Sequence, residues 1–263
     1  MWRPGAAPPA GRPRQARGIR RSRRLFASFL VEQTDPQRFY GDLATDSLAT
    51  LAEWVDVRDR LVLDVGAGPA QFADAFRGAG ARYVPLDHDR SVPSVAGGGV
   101  VGSALALPIA SGSVDIVFCS NLLEHVPDLE AVADELVRVL RPGGVLYLSY
   151  TNWLSPWGGH EASPWHWVSG GYAVRRYRRR HGRPPKNRLG ETIFRTSIAQ
   201  GLRWARSHPD VEALAARPRY LPDRARVLLA VPGLREVLTW NLLLLVRRRD
   251  PASTRVGPPG PGR

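Results

Sequence analysis

The chain has 263 residues, which is enough for one α/β domain with insertions, and a formal net charge of +13. Its lone cysteine, Cys119, excludes an intramolecular disulfide framework and fits a reducing compartment. The apolar run Leu242–Val246 is too short to span a bilayer, and no convincing secretory signal precedes the first acid, Glu32. We therefore expect a cytoplasmic protein.

The amino-terminal residues carry much of the charge, because eight arginines precede Glu32. Residues 1–24 are rich in Pro, Gly, Ala and Arg, and we predict that they form a disordered basic tail, as do residues 250–263. A basic tail is also typical of contact with anionic lipid or nucleic acid, which leaves a peripheral membrane contact open. We favour the solvated tail, because no apolar face accompanies the charge.

Residues 25–249 are predicted to form one domain. Helical spacing over 25–57 precedes a core over 59–151, and an insertion over 152–195 is expected to lie above the strand ends. The predicted strands are 61–65, 83–86, 100–101, 114–120, 145–150, 211–217 and 236–248. The predicted helices are 70–79, 129–140, 172–180 and a segment from Thr196 or Ser197 to Ala205. Strands that alternate with helices in this way indicate βαβ units and a mostly parallel sheet.

The first strand breaks into a turn with almost no side chains, Gly66-Ala-Gly68. Glycine lets the backbone reverse and lets a ligand approach the main chain, at the edge where open α/β sheets bind ligands. Asp87 follows the second strand about 20 residues later, where an acid can bind both hydroxyls of a ribose. Gln71 stands at the third glycine position of a dinucleotide fingerprint, and no P-loop lysine follows. These features indicate a nucleoside ligand without a pyrophosphate.

Further motifs follow in a fixed order, and they are Asp64-Val-Gly-Ala-Gly68, Asp87, Ala106-Leu-Pro108, Val114-Asp-Ile-Val117, Leu123-Glu-His-Val126 and Leu140-Arg-Pro-Gly-Gly144. Over about residues 59–151 this series resembles the class I S-adenosylmethionine-dependent methyltransferases of the small-molecule type, which include quinone-biosynthesis C-methyltransferases. The resemblance implies a Rossmann-like, seven-stranded α/β sheet whose last strand runs antiparallel between two others.

The resemblance also implies a set of cofactor contacts. Gly66 and Gly68 would pass under the methionine part of S-adenosylmethionine, and Asp64 would orient its charged amine. Asp87 would hold the ribose. The segment that includes Ser103 and Ala104 would flank the adenine, and Ser120 with Asn121 would line the methionyl side.

The insertion contains an unusual cluster of four tryptophans and two histidines, at positions 153, 157, 160, 165, 166 and 167. One interpretation is an aromatic floor for a flat or sugar-like acceptor, with His160 or His166 as general base and Glu161 as its orienting carboxylate. The other is that the tryptophans anchor a long loop to the sheet. His125 is either a contact in the site or a structural histidine. This stretch, with residues 180–187, resembles a group of uncharacterised actinobacterial methyltransferases.

The arginines of 175–183 fit either a phosphate-bearing acceptor, such as a lipid-linked sugar, or a solvated helix face. The histidines and acids show no recognised metal-ligand spacing, so we predict no metal. We expect a methyltransferase that O-methylates a small molecule or a glycolipid precursor. The alternatives are an RNA methyltransferase and a non-catalytic cofactor-binding protein. The RNA reading is less favoured, because the fourth strand ends in Ser-Asn-Leu-Leu and lacks a motif that grips a flipped base.

Overall fold

The computed structural model describes residues 8–13, 15, 17–32, 34–90 and 98–250. Its sheet has seven strands in the order β3-β2-β1-β4-β5-β7-β6. The strands are β1 Leu61–Val65, β2 Arg82–Asp87, β3 Val100–Val101, β4 Val114–Ser120, β5 Leu140–Thr151, β6 Val211–Pro218 and β7 Asn241–Arg248. The helices are α1 Ile19–Leu30, α2 Pro36–Ala52, α3 Ala73–Gly78, α4 Leu129–Val139, α5 Gly170–His181, α6 Ile198–Ser207 and α7 Leu234–Leu238.

The topology confirms the predicted sheet. Strands β3, β2, β1, β4 and β5 pair in parallel, whereas β7 pairs antiparallel with both β5 and β6. The carboxyl ends of β1, β2, β4 and β5 therefore meet at one edge. Residues 64, 87, 120 and 151, which close or follow these strands, are consequently brought to the same side of the molecule.

Several predicted boundaries differ from the structure, and β5 begins at Leu140 rather than at residue 145. Helix α3 begins at Ala73 rather than at residue 70, because Ala70 has a left-handed backbone with φ of 54° and cannot lie in a right-handed helix. The last strand begins at Asn241 rather than at 236, because residues 234–238 form α7. The carboxylate of Glu236 accepts the free N–H groups of Ile198 and Ala199 at the start of α6, which holds α7 against that helix.

The sheet separates two apolar cores. One face packs against α4 and α6 through residues such as Leu136 and Leu202, and the other packs against α2 and α3 through residues such as Leu43 and Phe76. Within the residues that the structure describes, no helix is both long enough and apolar enough to cross a membrane.

Helix α1 begins inside the segment predicted to be a disordered tail. Arg17 forms an ion pair with Glu53 at 3.1 Å, and the Nε of Arg21 donates to Asp46 at 2.6 Å. Leu25 is buried against α2. Part of the arginine run therefore pairs with acids of the domain instead of facing solvent, which the local sequence does not reveal. Residues 1–7, 14, 16 and 251–263 of the two predicted tails lie outside the described residues.

Candidate active site

The glycine turn and Asp87 are joined directly at the carboxyl edge of the sheet. Gly66 and Gly68 have φ of 75° and 52°, a left-handed backbone that favours glycine. The N–H of Gly68 donates to Oδ2 of Asp87 at 2.9 Å, and the N–H of Gly66 donates to the carbonyl of Leu86 at 2.9 Å. The turn is thus fixed onto the end of β2.

The two glycines have different surroundings. A Cβ on Gly66 would lie 2.9 Å from the side chain of Leu122, so that position needs glycine even without a ligand. A Cβ on Gly68 would meet nothing within 4 Å among the described residues. The open space that a ligand could use to approach the main chain therefore lies at Gly68.

Asp64 is buried under this turn, and its carboxylate accepts the phenol O–H of Tyr83. Burial, together with the nearby charge of Asp87, raises the pKa of Asp64 to about 7. A positively charged group above the turn would favour the ionised form and lower this pKa again.

Asp87 closes β2 and is only 8% exposed. Its Oδ1 accepts the N–H of Asp89 at 3.0 Å and lies 3.1 Å from Nδ1 of His88, while Oδ2 binds Gly68. The carboxylate is thus held in one orientation by main-chain donors. A carboxylate has about four lone-pair directions, so acceptor capacity remains on Oδ2, and on Oδ1 whenever the exposed side chain of His88 turns away.

The other predicted cofactor residues lie at the same edge of the sheet, but their side chains differ in exposure and in hydrogen bonding. Ser103 is exposed at the end of β3, where its hydroxyl accepts the N–H of Leu105 at 3.2 Å, and Ala104 is half-buried. The hydroxyl of Ser120 accepts from Arg219 at 2.9 Å, and the side-chain oxygen of Asn121 accepts from Asn241 at 2.9 Å. The side chains of Ser120 and Asn121 are therefore engaged with other residues of the protein.

A three-residue 3-10 helix, Leu123–His125, follows β4 and carries two ionisable groups. Glu124 is 3% exposed, its Oε1 accepts the N–H of Thr151 at 3.1 Å, and its Oε2 is buried without a hydrogen-bond partner in the described structure. Burial raises the pKa of Glu124. Nδ1 of the half-buried His125 lies 2.7 Å from the carbonyl of Thr192, so Nε2 is the ring nitrogen not engaged in that contact.

His160 comes from the insertion and lies beside His125. The two rings have centroids 5.0 Å apart. His160 has a φ of 50°, and its Nε2 is buried with no hydrogen-bond partner among the residues described. Burial and the neighbouring His125 lower the pKa of His160 to about 4, so the ring is neutral at physiological pH.

Glu161 does not hydrogen-bond to His160 in the described part of the chain. Its two carboxylate oxygens accept from the backbone N–H and the side-chain amide of Asn187, at 3.0 and 2.8 Å. Its charge still raises the pKa of His160 slightly against burial. The structure thus gives Glu161 a contact that braces the loop at 187, in place of the predicted contact that would orient a base.

The aromatic residues of the insertion divide between packing and exposure. Trp157 packs against Phe29 of α1, with ring centroids 5.0 Å apart, and so anchors the loop. His166 is buried, and its Nε2 lies 3.0 Å from the carbonyl of Trp153. Trp165 and Trp167 are exposed, and Arg176 lies over the ring of Trp165 at 4.0 Å. His166 therefore has a structural contact through Nε2, although its Nδ1, like Nε2 of His160, is buried without a hydrogen-bond partner among the described residues.

Sequence reasoning missed two buried charged residues at this edge. In the sequence Glu124 stands out only as part of a family motif. An acid that follows two leucines and precedes a histidine, directly after a strand, is nevertheless a usable signal of a buried functional carboxylate. Arg219 is 1% exposed, and it donates to Ser149 at 2.8 Å and to Ser47 at 3.0 Å as well as to Ser120. No local pattern marks it, because its partners lie on three distant elements.

Comparison with known proteins gives consistent findings. A family model described as a methyltransferase domain matches residues 63–148. A protein of Mycobacteroides abscessus, called an uncharacterized methyltransferase, is 45% identical over 248 residues, which cover 88% of this chain and 95% of that relative.

Two solved structures share the fold. A chain from the complex between the Haloferax volcanii Trm112 methyltransferase activator and a methyltransferase superposes with a TM-score of 0.52 at 15% identity, covering 85% of this chain and 98% of that chain. An S-adenosylmethionine-dependent methyltransferase from Mesorhizobium loti superposes with a TM-score of 0.50 at 18% identity, covering 77% and 96%. At these sequence identities the similarity supports the fold alone.

Proposed function

This chain belongs to the class I methyltransferase family, and we propose that it transfers the methyl group of S-adenosylmethionine to a hydroxyl of a small molecule, such as a sugar or a glycolipid precursor. The observation that carries this proposal is the contact between the glycine turn and Asp87 at the carboxyl edge of the sheet. It supports a nucleoside site with a fixed ribose-binding carboxylate beside an open stretch of main chain.

The remaining cofactor contacts follow from the same geometry. Asp87 would accept the ribose hydroxyls on its free lone pairs, and Asp64 would attract the ammonium group of the methionine part. Gly68, with open space above it, would let the ligand approach the backbone. Ser103 and Ala104 would flank the adenine at the end of β3, and the main chain of Ser120 and Asn121 would line the methionyl side. The cofactor supplies an electrophilic methyl group on a sulfonium, so the protein mainly has to orient the acceptor and manage its proton.

We place the acceptor next to Glu124, His125 and His160. A hydroxyl acceptor has to lose its proton, and these residues follow β4 or overhang it from the insertion. Oε2 of Glu124 and Nε2 of His160 are both buried and unpartnered in the described chain, so both can accept a proton or a hydrogen bond. This group of side chains, rather than Glu161, is the proton-handling part of the proposed site.

The charge of helix α5 supports an anionic acceptor. Arg175, Arg176, Arg179 and Arg180 are exposed and, with Tyr172, line a surface hollow of about 330 Å³. Helix α5 packs against the short helices His160–Ala162 and Trp165–Trp167. A phosphate bound by these arginines would therefore lie on the acceptor side of the site, as expected for a nucleotide-linked or lipid-linked sugar.

Calorimetric titration of the purified full-length protein with S-adenosylmethionine tests the cofactor site. We expect micromolar binding by the wild type and at least about tenfold weaker binding by Asp87→Ala, since the lost hydrogen bonds are charge-assisted. Asp74→Ala, at an exposed acid of the neighbouring helix α3, is the matched control and should bind as the wild type does. Absence of binding by the wild type would remove the proposed function.

Incubation of the enzyme and radiolabelled S-adenosylmethionine with fractionated cell extract tests the acceptor class. We expect label in an organic-soluble or phosphate-bearing fraction, bound through an ether that resists mild base. Label confined to RNA, and abolished by ribonuclease, would contradict the small-molecule acceptor and favour the alternative nucleic-acid substrate.

A further inference from the structure

We propose that Glu124, His125 and His160 form a binding site for one divalent transition-metal ion on the acceptor side of the active site. The catalytic role given to the ion below rests on the proposed methyltransferase function, whereas the binding of the ion does not. One ligand atom from each residue, a carboxylate oxygen and two imidazole nitrogens, lies within 4.8 Å of the others.

The distances are close to those of a loaded site. Zn–N and Zn–O bonds are about 2.0–2.2 Å long, so two ligand atoms on one ion lie at most about 4.4 Å apart. The three ligand atoms here all lie within 4.8 Å of one another, which is close to that limit. Binding of one ion would draw them onto a common centre.

Two of the three residues each have a possible ligand atom without another partner. Oε2 of Glu124 and Nε2 of His160 are buried and make no hydrogen bond within the described residues. Leaving a buried polar atom unsatisfied costs about 1–3 kcal/mol, and more when the group is charged, so two such atoms on residues of one cluster need an explanation. A bound cation satisfies both atoms at once.

The atoms that do not face the proposed ion are already held. Nδ1 of His125 lies 2.7 Å from the carbonyl of Thr192, which fixes the tautomer with a proton on Nδ1 and leaves Nε2 free. Oε1 of Glu124 accepts the N–H of Thr151 at 3.1 Å. Metal-binding histidines and carboxylates typically carry such outer contacts, which orient the ligand and tune its basicity.

The backbone that delivers His160 is held in an unfavourable conformation. Its φ of 50° is uncommon for a residue other than glycine. The two preceding glycines leave no room for a side chain, because a Cβ on Gly158 would lie 2.1 Å from the carbonyl oxygen of Trp153 and one on Gly159 would lie 2.6 Å from the ring of His166. Strain that surrounding packing enforces is concentrated at functional sites, and here it directs an imidazole toward Glu124 and His125.

The donor set defines the class of ion. Two imidazoles and one carboxylate favour Zn²⁺, Fe²⁺ or a similar first-row ion over Mg²⁺ or Ca²⁺, which prefer oxygen ligands throughout. Three protein ligands leave at least one position open, and the acceptor hydroxyl could occupy it. A hydroxyl bound to the ion loses its proton to solvent more readily. The acceptor oxygen then bonds to the methyl carbon as the carbon–sulfur bond breaks, and that bond's electron pair stays on the now neutral sulfur.

Cobalt titration of the full-length protein, freed of any affinity tag and stripped with a chelator, tests the site. We expect one Co²⁺ per chain with visible absorption bands that require protein nitrogen ligands, and displacement of Co²⁺ by Zn²⁺. Glu124→Gln and His160→Ala should each weaken binding at least about tenfold, since each removes one of three ligands. His208→Ala is the matched control, because His208 precedes β6 at the opposite edge of the sheet, near a single acid, Asp134.

Titration of the same stripped samples with S-adenosylmethionine separates this proposal from the proposed function. Retained cofactor binding without stoichiometric Co²⁺ binding would overturn the metal site and leave the methyltransferase. Stoichiometric Co²⁺ binding that is unchanged in Glu124→Gln and His160→Ala would also overturn it. Loss of cofactor binding with an intact cobalt spectrum would instead remove the proposed function. Circular dichroism checks the fold of Glu124→Gln. If that variant fails to fold, His160→Ala, which changes a residue of the insertion and leaves the sheet unaltered, still tests the site.

Discussion

Buried carboxylates in two regions of this molecule differ in whether a cation pairs with them. Where α1 and α2 pack on the sheet, Glu53 is 2% exposed and accepts from Arg17 at 3.1 Å and from Arg217 at 3.0 Å. In the active site, Glu124 is 3% exposed, but it accepts only a backbone N–H and has one oxygen without a partner in the described structure. These two carboxylates are thus almost equally buried, but Glu53 is neutralised by two arginines, whereas Glu124 pairs with no cation in the described structure.

The difference separates structural from functional acids. A buried carboxylate that is fully paired holds elements together, and losing it leaves its cations uncompensated. A buried carboxylate that lacks a cation stabilises nothing by itself and remains available for a ligand. By this criterion Glu53 is a structural residue and Glu124 is a residue of the site, a distinction that their burial alone would not reveal.

The largest expected effect is on stability, from Glu53→Ala. Removing this acid leaves Arg17 buried without its counter-charge and leaves Arg217 with only Asp223, at 3.8 Å, which should cost about 3–5 kcal/mol in the free energy of unfolding. Urea denaturation followed by circular dichroism measures this cost. The control is Glu130→Gln, an exposed acid of α4, for which we expect a change of about 0.5 kcal/mol or less. Equal free energies of unfolding for these two variants would contradict the structural role assigned to Glu53.

Glu124→Gln should show the reverse pattern. The amide keeps the contact to Thr151 and removes an unpaired buried charge, so the free energy of unfolding should change by less than about 1 kcal/mol. Methyl transfer should fall about 100-fold, since the residue contacts the reacting groups in our proposal. A loss of stability as large as that of Glu53→Ala, with normal activity, would reverse the assignment of the two acids.

Asp64 is an intermediate case, because its one side-chain partner within the described residues is the neutral phenol of Tyr83. Its pKa is raised to about 7, and only the ionised form attracts the ammonium group of the cofactor. Affinity for S-adenosylmethionine should therefore rise about tenfold from pH 6 to pH 8, and Asp64→Asn should bind weakly with no such dependence. Calorimetry at several pH values measures both effects. A flat profile for the wild type would remove Asp64 from the amine contact.

The same raised pKa affects the free protein with the opposite sign. Between the ordinary carboxyl pKa and about 7, the folded state holds a proton on Asp64 that the unfolded chain has released. The stability contributed by this protonation is complete below the unfolded pKa and is lost as pH rises through about 7. Denaturation curves should show this loss in the wild type and not in Asp64→Asn.

The smallest effect is expected at the exposed arginine helix. Arg176 lies over the ring of Trp165 at the surface, so Arg176→Gln should destabilise the protein by about 0.5–1 kcal/mol. If α5 binds a phosphate of the acceptor, the same change should raise KM for the acceptor and leave kcat nearly unchanged. Steady-state kinetics at two salt concentrations measures this. An unchanged KM would identify these arginines as a solvated face.

Much of the fold could be predicted from local pattern. The apolar runs, the glycine turn, the cap Ser197 of α6 and the spacing from Gly68 to Asp87 are short-range features, and the structure confirms the predicted sheet with β7 antiparallel to its neighbours. Helix α1 was misjudged, because Arg17 and Arg21 find their acids only after α1 folds back onto α2. Charge density alone could not distinguish a solvated tail from a paired helix.

The sequence by itself determined the seven strands in chain order, the glycine turn and the resemblance to the family, because each depends on local patterns of residues. Only the tertiary structure decided that His160 meets His125, that Glu161 turns to Asn187, and that Glu124 lacks a cation. Those relations depend on the path of a loop more than 30 residues away from β4. Close packing sets that path, as where Gly158 lies against the carbonyl of Trp153, and no local spacing encodes it.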